Sequence, residues 1–459
     1  MSRKCTKRFV HLVPTFILIT SIRGFMQKTV LVIGGGPAGY SAAETAAKNG
    51  ADVVLFERER LGGTCGIWGC IPTKTLFSAA VALHDCERLS KIGVQTSAEM
   101  DFSLIKNRMK RVVGQTEKGV EFLMKKAGVA VVKGEAVADI SNLSVTCNGE
   151  HYNGDALILA SGSTEGKPGV FDVEGVWTSK DLLVSDHIPK SMLVIGAGAV
   201  GVEFASIYRS FGCEITLIEA MDRILPFEDE EISKTLKRSL KKQGIRVLTG
   251  SGVLRVIEGG EGVFLENGEE ILGERVLLAI GRRVLSDFDV ERDGRFIKVN
   301  SRMETSVPNV YAAGDIVGGK MLAHEAHVEG IVAGSNASGK NLDRYWKCMP
   351  SVTFSIPEVA SVGLTEKEGA CTGKFLYRAL GKGLAEGHMD GLCKVVADKG
   401  GKFAGCHIIG HNASELIQEA VIAIESGLMM EKMAHMVHSH PTMPEIIMEA
   451  CRDCSNKSS

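Results

Sequence analysis

Two cysteines, Cys65 and Cys70, stand five positions apart in a glycine-rich segment and have the residue type and spacing for redox chemistry. In a regular α-helix five residues turn through about 500°, which leaves the two side chains roughly 140° apart. A bond between the thiols therefore requires Cys65 on an irregular lead-in and Cys70 in the first turn of a helix. A thiol at a helix N-terminus is also acidified, and the thiolate is the reactive form. The spacing predicts a redox-active pair rather than two unrelated buried thiols.

Two glycine-rich turns of the same design occur in residues 31–39 and 193–201. Each follows an apolar run and leads into a helical segment and a second apolar run. That run ends in an acid, Glu57 or Glu219, 23 positions after the first glycine of its unit. The repeated pattern predicts two dinucleotide-binding units. The glycines are Gly34, Gly36 and Gly39 in the first unit, and Gly196, Gly198 and Gly201 in the second.

The three glycines of each unit have different physical roles. The first allows a tight turn, the second lets the backbone approach a pyrophosphate, and the third lets the helix pack against the strand. The phosphates then lie at the helix N-terminus, where free N–H groups and the helix dipole favour negative charge. The closing acid accepts a hydrogen bond from a ribose 2′-hydroxyl. The sequence thus predicts an α/β fold with two dinucleotide sites.

Apolar periodicity predicts the elements that hold these residues in place. Helical spacing covers residues 73–90 and 101–127, and the second of these has the pattern of a structural insertion. Strands mixed with a helix are expected in the C-terminal third. The predicted strands are 129–132, 143–147, 156–159, 246–256, 276–280, 352–354, 393–397 and 403–409, and the predicted C-terminal helix is 413–426.

Residues 62–74, with the sequence GGTCGIWGCIPTK, resemble the GGTCxxxGCIPSK signature of the class I pyridine nucleotide–disulfide oxidoreductases. Thr73 stands where that family has serine, and the resemblance covers nearly all of residues 27–450. It implies two Rossmann-like domains, for FAD and NAD, and a C-terminal α+β domain through which two chains form a homodimer. The implied organisation is an N-terminal extension 1–26, an FAD-binding domain 27–163, an NAD-binding domain 164–285, a central segment 286–345 that returns to the FAD domain, and a dimerisation domain 346–459.

The same resemblance implies roles for individual residues. Cys65 would exchange with the substrate, and Cys70 would lie against the flavin. Lys74 would lie near the flavin N5 and pair with Glu203; without the resemblance each would be interpreted as a surface charge. Residues 310–315 resemble the family's second flavin motif, in which Asp315 binds the ribityl chain. The other implied FAD contacts are Gly34, Gly36, Gly39, Glu57, Gly63, Thr64, Gly134 and Ala323, and the implied NAD contacts are Gly196, Gly198, Gly201, Glu219 and Gly281.

His440 and Glu445 lie in a segment, residues 438–445, that resembles the family's H-x-H-P-T-x-x-E sequence. The resemblance assigns His440 as the acid–base and Glu445 as the carboxylate that orients it, acting in the active site of the partner subunit. Imidazole suits this role because its ordinary pKa lies near neutrality. His435 and His438 are predicted to be structural, and no cysteine or carboxylate spacing near them predicts a metal site.

Two features narrow the implied activity. The charge of Glu219 would repel a 2′-phosphate, which favours NAD over NADP, although Arg223 lies four residues further on. The segment at His440 differs from the tyrosine-containing segment of mercuric reductases. The resemblance therefore implies oxidation of dihydrolipoamide by NAD⁺ through a Cys65–Cys70 disulfide and FAD. The implied partner is a lipoyl-bearing protein of a 2-oxoacid dehydrogenase or glycine-cleavage complex.

Other hypotheses remain open at this stage. One is an NAD(P)H-dependent reductase of another disulfide or of mercuric ion, and another is a non-catalytic flavin-binding docking subunit. Cys451 and Cys454 form a C-x-x-C pair close to the C-terminus, and such pairs relay electrons in some family members. Because Cys451 is expected to continue a helix that begins near Glu445, we favour incidental thiols over a relay.

Composition argues against several other classes of protein. The 459-residue chain carries a net charge of −2 and has no basic stripe, so nucleic acid is not an expected partner. Its 12 cysteines are dispersed, unlike a secreted disulfide framework, which favours a reducing, cytoplasmic location. Residues 1–25 lack Asp and Glu and contain an interrupted apolar run, too short for stable membrane insertion. We favour an upstream start codon with Met26 as the functional beginning, and an organellar or exported destination is the alternative.

Overall fold

The computed structural model describes residues 27–458, so the predicted N-terminal extension, residues 1–26, lies outside the described residues. The helices within the described range are α1 (Pro37–Lys48), α2 (Cys70–Lys91), α3 (Phe102–Ala127), α4 (Ser179–Val184), α5 (Ala199–Ser210), α6 (Glu230–Lys242), α7 (Ala323–Ala337), α8 (Gly381–Glu386), α9 (Ala413–Glu425), α10 (Met430–His435) and α11 (Glu445–Ser458).

The strands of the same range form three larger sheets and several small ones. In chain order they are β1 (Thr29–Ile33), β2 (Asp52–Glu57), β3 (Ala130–Lys133), β4 (Ala136–Asp139), β5 (Ser144–Cys147), β6 (Glu150–Asn153), β7 (Ala156–Leu159), β8 (Ser163–Glu165), β9 (Val176–Trp177), β10 (Ser191–Ile195), β11 (Glu214–Glu219), β12 (Arg246–Thr249), β13 (Val253–Val256), β14 (Gly262–Leu265), β15 (Glu270–Leu272), β16 (Arg275–Leu278), β17 (Arg282–Val284), β18 (Arg292–Asp293), β19 (Phe296–Ile297), β20 (Val310–Ala312), β21 (Ser351–Thr353), β22 (Glu358–Gly363), β23 (Cys371–Leu376), β24 (Leu392–Ala397) and β25 (Phe403–Gly410).

The first domain is built on a parallel sheet with the strand order β20–β7–β1–β2–β3. Strand β7 is buried along its whole length, as expected for a parallel strand whose two faces are both covered. β20 joins the edge of this sheet after the chain has passed through the second domain, and Val310 pairs with Leu157. The central segment therefore supplies a strand to the first sheet.

The second domain repeats this arrangement in a parallel sheet with the order β12–β11–β10–β16–β9. Thr29 pairs with Asp52 in the first sheet, and Ser191 pairs with Glu214 in the second, so both partners are 23 positions apart. Each glycine-rich turn joins the first strand of its unit to the following helix, α1 or α5. The prediction of two Rossmann-like domains is confirmed.

The single strand predicted over residues 246–256 is wrong. The chain forms β12 and β13 there, and these belong to different sheets, because β13 pairs with β14 in a small antiparallel sheet. Gly250 interrupts the run with a φ of 65°, and its N–H donates to Met221 O at 2.7 Å. A residue with positive φ cannot continue a strand, so the predicted strand is divided at this glycine.

The C-terminal domain is an antiparallel sheet with the order β21–β22–β25–β24–β23. Helices α9, α10 and α11 pack against it, and the shared core includes Val395, Ile408 and Ile447, all fully buried. An antiparallel sheet with its helices segregated in this way is the predicted α+β class. This domain carries the histidine segment into α11.

Helix α2 links the redox segment to the second domain. Its residues Leu76 and Phe77 share a hydrophobic core with Phe204 and Tyr208 of α5. By length and apolar composition the segment Thr64–Lys91 would be able to cross a membrane. Core helices of globular domains have the same properties, and packing on α5 accounts for the apolar side of α2.

Helices α1 and α7 approach each other closely because glycines line their contact. A Cβ added to Gly330 would overlap Ala38 O, and one added to Gly334 would overlap Ala42 O. The two helices therefore cross backbone to backbone. This contact ties the central segment to the first glycine-rich unit.

Gly330→Ala is expected to lower the free energy of unfolding by about 1–3 kcal/mol, the usual cost of forcing additional atoms into a packed interior. The matched control is Gly119→Ala in α3, where an added Cβ meets no atom within 4 Å. Alanine should stabilise that exposed helical position by about 0.5–1 kcal/mol. Urea denaturation should move the two midpoints in opposite directions. A midpoint for Gly330→Ala at or above that of the wild type would contradict the close crossing.

Candidate active site

Cys65 and Cys70 lie on either side of a break in helical structure. Cys65 is in a π-helical turn, Thr64–Trp68, and Cys70 is the first residue of α2. Gly69, with φ −143° and ψ −102°, separates the two elements. Both cysteines are half-buried. The irregular lead-in that the spacing required is present.

The two thiols shift each other's pKa in opposite directions. A hydrogen bond with Cys70, together with burial, raises the pKa of the Cys65 thiol. The same hydrogen bond and the nearby Lys74 ammonium lower the pKa of Cys70 to about 7, against the effect of burial. In the reduced pair the proton therefore stays on Cys65, and Cys70 loses its proton near neutral pH.

Lys74 pairs with Glu203, as the resemblance implied. Lys74 Nζ lies 3.0 and 2.9 Å from the two carboxylate oxygens of Glu203, which is only 7% exposed. The same carboxylate accepts a hydrogen bond from Phe354 N at 2.9 Å, and Lys74 Nζ lies 4.4 Å from the centre of the Phe354 ring. Lys74 is on α2, Glu203 is on α5, and Phe354 is at the start of the C-terminal domain. The ion pair and the hydrogen bond from Phe354 N therefore join three domains.

The closing acids of the two glycine-rich units make the same hydrogen bonds. Glu57 Oε2 accepts from Gly35 N, and Glu219 Oε2 accepts from Ala197 N, both at 2.7 Å. The second oxygen of each carboxylate accepts from the backbone N–H two residues further along, at 2.7 and 2.9 Å. Each acid thus lies beside the glycine-rich turn of its own unit and holds that turn through hydrogen bonds.

The glycines of the second turn have the three roles that the sequence predicted. Gly196 has a φ of 99°, and a Cβ on Gly201 would overlap Gly196 O. Gly198 has an ordinary φ of −72°, and a Cβ there would meet no atom of the described chain within 4 Å. Neither backbone strain nor packing explains Gly198, so its missing side chain fits a ligand at the helix N-terminus.

The first turn repeats this geometry. Gly34 has a φ of 104°, and a Cβ on Gly39 would overlap Gly34 O. Gly36 has an ordinary φ of −77°, and its Cβ would lie 3.8 Å from Gly63 Cα, an ordinary contact. Gly63, with a φ of 56°, would place its own Cβ 2.6 Å from Gly36 Cα. The redox segment is therefore folded directly against the first dinucleotide turn.

Asp315 lies in a polar cluster that contains an arginine not predicted from the sequence. Asp315 accepts a hydrogen bond from Ser163 Oγ and lies 3.7 Å from Arg282 Nε. Arg282 also donates to Ser163 Oγ at 2.6 Å and to Thr64 Oγ1 at 3.3 Å. In the sequence, Arg282 is marked only by its position directly after Gly281, one of the predicted NAD contacts. The guanidinium links the redox segment to the second flavin motif.

The remaining predicted contacts lie around the two turns. Gly134 follows β3 with a φ of 157°, and its N–H donates to Glu57 O at 3.0 Å. Ala323 is the first residue of α7, the helix that packs on α1. Gly281 follows β16, has a φ of 124°, and lies in open space within the described chain.

His440 and Glu445 form a hydrogen-bonded pair on the surface of the chain. His440 Nδ1 lies 2.9 Å from Glu445 Oε1, and the imidazole is 76% exposed. The N–H of Thr442 and the imidazole lower the pKa of Glu445, which keeps the carboxylate charged. His438 is different: its Nε2 lies 2.9 Å from Glu419 Oε1 in a partly buried position. His440 is thus oriented by a carboxylate while its other nitrogen faces outward.

A second histidine pair was not predicted. The rings of His388 and His411 are parallel, with centroids 3.6 Å apart, and Glu386 lies beside them. Burial and the neighbouring His411 lower the pKa of His388 to about 4. A single metal ion cannot lie in the planes of two parallel rings, so this arrangement is a stacked neutral pair rather than a metal site.

Sequence comparison finds two family matches. Residues 28–330 match the pyridine nucleotide-disulphide oxidoreductase family, and residues 349–451 match its dimerisation domain. The dihydrolipoyl dehydrogenase of Bacillus subtilis (strain 168) is 37% identical over 448 residues, covering 92% of this chain and 97% of the relative. The dihydrolipoyl dehydrogenase of Thermus scotoductus is 40% identical over 445 residues, covering 92% and 96%.

This chain belongs to the pyridine nucleotide–disulphide oxidoreductase family.

Solved structures share its fold. LpdA from Mycobacterium tuberculosis has a TM-score of 0.85 at 23% identity and covers 93% of this chain and 99% of that chain. RclA, an HOCl-induced flavoprotein disulfide reductase from Escherichia coli, has a TM-score of 0.82 at 25% identity, with 92% and 99% covered. The chain is a flavoprotein disulfide oxidoreductase, its cofactors are FAD and NAD, and its dimerisation domain supports a homodimer.

The two turns fit these cofactors. The first turn would hold FAD, because Gly36 adjoins the redox segment through Gly63. The second would hold NAD, with Gly198 at the pyrophosphate and Glu219 at the ribose. Arg223, the basic residue closest to Glu219 in that loop, donates instead to Pro226 O at 2.7 Å. Its guanidinium is therefore engaged by its own turn, which leaves the carboxylate of Glu219 to favour NAD over NADP.

Lys74→Met is expected to raise the pKa of Cys70 above about 7, because it removes a nearby cation and leaves Glu203 unpaired. Fewer thiolates at pH 7 should slow alkylation of Cys70 by iodoacetamide in the reduced protein. Peptide mass spectrometry across a pH series measures this rate. Lys74→Arg, which keeps the positive charge, is the matched control. An alkylation profile that is the same in all three proteins would exclude a role of Lys74 in setting the charge of Cys70.

Proposed function

We propose that this chain oxidises dihydrolipoamide, carried by a lipoyl-bearing protein, to lipoamide with NAD⁺ as the electron acceptor. The observation that carries the proposal is the Cys65–Cys70 pair, folded against the first dinucleotide turn and polarised by Lys74. Relatives that are 35–40% identical over more than nine-tenths of this chain bear the name dihydrolipoyl dehydrogenase. They support the substrate, and a 2-oxoacid dehydrogenase or glycine-cleavage complex as partner.

The first half of the reaction is thiol–disulfide exchange at the oxidised pair. One thiol of dihydrolipoamide loses its proton to His440, and the thiolate attacks Cys65 Sγ, which breaks the Cys65–Cys70 bond. His440 passes the first proton to Cys65 as Cys65 is displaced, and it takes the proton of the second substrate thiol, whose sulfur attacks the substrate sulfur of the mixed disulfide. Lipoamide leaves, and the enzyme keeps two electrons and two protons, with one proton on Cys65, one on His440 and a negative charge on Cys70.

The second half of the reaction passes these two electrons from the reduced cysteine pair to NAD⁺. The chemistry that FAD supplies when bound is two-electron transfer from the dithiol to NAD⁺. Cys70 suits the position against the flavin because its pKa of about 7 keeps a large fraction as thiolate. Lys74 balances that charge. The net reaction consumes dihydrolipoamide and NAD⁺ and yields lipoamide, NADH and one proton.

The base that serves the cysteine pair of one chain is His440 of the partner subunit. The imidazole is largely exposed in the single chain, and its Nδ1 is held by Glu445. A general base must reach within hydrogen-bond distance of the proton it removes. An exposed, oriented imidazole in the dimerisation domain meets this requirement when a second copy covers the redox segment.

Cys65→Ser and Cys70→Ser are each expected to abolish oxidation of dihydrolipoamide by NAD⁺, because exchange requires both sulfurs. The matched control is Cys86→Ser, a half-buried thiol on the same helix α2, which should retain wild-type turnover. The assay follows NADH formation. Lipoamide-dependent turnover that survives in Cys65→Ser would overturn the mechanism.

The same assay separates the competing functions. A reductase of another disulfide or of mercuric ion would consume NADPH with glutathione disulfide or Hg²⁺ faster than it turns over dihydrolipoamide. A docking subunit would bind flavin and turn over none of these substrates. We expect dihydrolipoamide with NAD⁺ to be the preferred pair, since Glu219 repels the 2′-phosphate of NADP.

A further inference from the structure

The C-terminal domain brings a second pair of cysteines into contact, away from the redox segment. Cys371 begins β23, Cys454 lies on α11, and their sulfurs are 2.8 Å apart although they are 83 positions apart in the chain. That separation is shorter than an ordinary van der Waals contact of two sulfur atoms. The buried thiols of Cys393 and Cys406, on adjacent strands, are 3.8 Å apart.

The backbone around this pair is held in place on both sides. A Cβ on Gly373 would overlap Ala450 O, so α11 lies directly on β23. Lys374 N donates to Asp453 Oδ2 at 2.8 Å, and Lys457 Nζ donates to Thr372 O at 3.2 Å. These contacts fix the helix against the strand at the positions next to the two cysteines. A disulfide needs such close and fixed backbones.

We propose that Cys371 and Cys454 form a second disulfide, which fastens helix α11 to strand β23 when the protein meets a low-molecular-weight disulfide oxidant. The bond is intramolecular and structural, and it plays no part in the turnover at Cys65 and Cys70. The two cysteines are 83 positions apart, so the bond would close a long loop. A cross-link that closes a long loop restricts the unfolded chain more than one that closes a short loop.

The exchange begins at Cys371, which is half-buried, whereas Cys454 is 1% exposed. The thiolate of Cys371 attacks one sulfur of the oxidant, forms a mixed disulfide and releases one thiolate. Cys454 then loses its proton, and its sulfur attacks Cys371 Sγ and expels the second thiolate. Two electrons pass from the two cysteines to the oxidant, and the two protons end on its two thiols.

The C-x-x-C spacing pairs Cys454 with Cys451 in sequence, but Cys454 Sγ lies 2.8 Å from Cys371 Sγ. Both Cys451 and Cys454 are buried in α11, and Cys454 Sγ faces a cysteine on another element. Burial, with the contact to Cys371, raises the pKa of Cys454 to about 12, so the second step is slow at neutral pH. Burial also raises the pKa of Cys451. A structural cross-link fits these slow thiols better than a relay that must turn over in each cycle.

The cross-link would also stabilise the helix that carries Glu445, the partner of His440. Helix α11 begins at Glu445, which holds His440 Nδ1 at 2.9 Å, and Cys454 is on the same helix. Fastening α11 to β23 therefore stabilises the element that carries Glu445. The expected effect is greater thermal stability of the dimerisation domain with unchanged chemistry at the redox pair.

The test uses the complete FAD-loaded protein, first fully reduced and then incubated with glutathione disulfide. Free thiols are blocked with N-ethylmaleimide, and a non-reducing digest is analysed by mass spectrometry. The expected product is a peptide pair joined through Cys371 and Cys454 within one chain, with an apparent unfolding temperature several degrees higher than that of the reduced protein. Cys371→Ser should remove both effects.

The matched control is Cys348→Ser, another half-buried thiol of this domain, which should keep the linked peptides and the increase in unfolding temperature. The wild-type digest decides the question even if a variant fails to fold. Glutathione on Cys371 without the linked peptide, or a bond between two chains on a non-reducing gel, would overturn the proposal.

Discussion

The chemistry of this molecule depends on one interruption of helical structure between Cys65 and Cys70. A continuous helix would direct the two side chains roughly 140° apart. The π-helical turn and Gly69 instead place the two thiols where each changes the pKa of the other. They also leave Cys70 as the first residue of α2, where unsatisfied N–H groups favour a thiolate. In the reduced pair, the proton and the negative charge are thereby divided between the two sulfurs.

A second constraint aligns this pair with the rest of the fold. The Lys74–Glu203 ion pair joins α2 to α5, and Phe354 N completes the junction from the C-terminal domain. Arg282 makes a comparable link between Thr64 and Asp315. The two glycine-rich units supply equivalent cofactor turns. These polar junctions determine how the turns are placed relative to the redox pair.

Features that depend on local backbone geometry were predictable from the sequence. The roles of Gly196, Gly198 and Gly201 follow from the spacing of a turn and a helix, and so does the irregular lead-in to Cys70. Spacing alone did not reveal contacts between distant positions, such as Arg282 with Asp315 or Cys371 with Cys454. The Lys74–Glu203 pair was expected only by resemblance to a family. The division of residues 246–256 was missed although the sequence carries a turn signal there, with Gly250 and Gly252 on either side of Ser251 between two short strand-like runs.

The most direct test of the account is a chemical map of the cysteines before and after one equivalent of dihydrolipoamide, in the FAD-loaded protein without NAD⁺ or oxygen. Alkylation followed by peptide mass spectrometry identifies the state of each thiol. The account predicts a Cys65–Cys70 disulfide in the oxidised protein, and alkyl groups on both residues after dihydrolipoamide is added. Two free thiols before the addition, or a Cys65–Cys70 bond that survives it, would contradict the central claim.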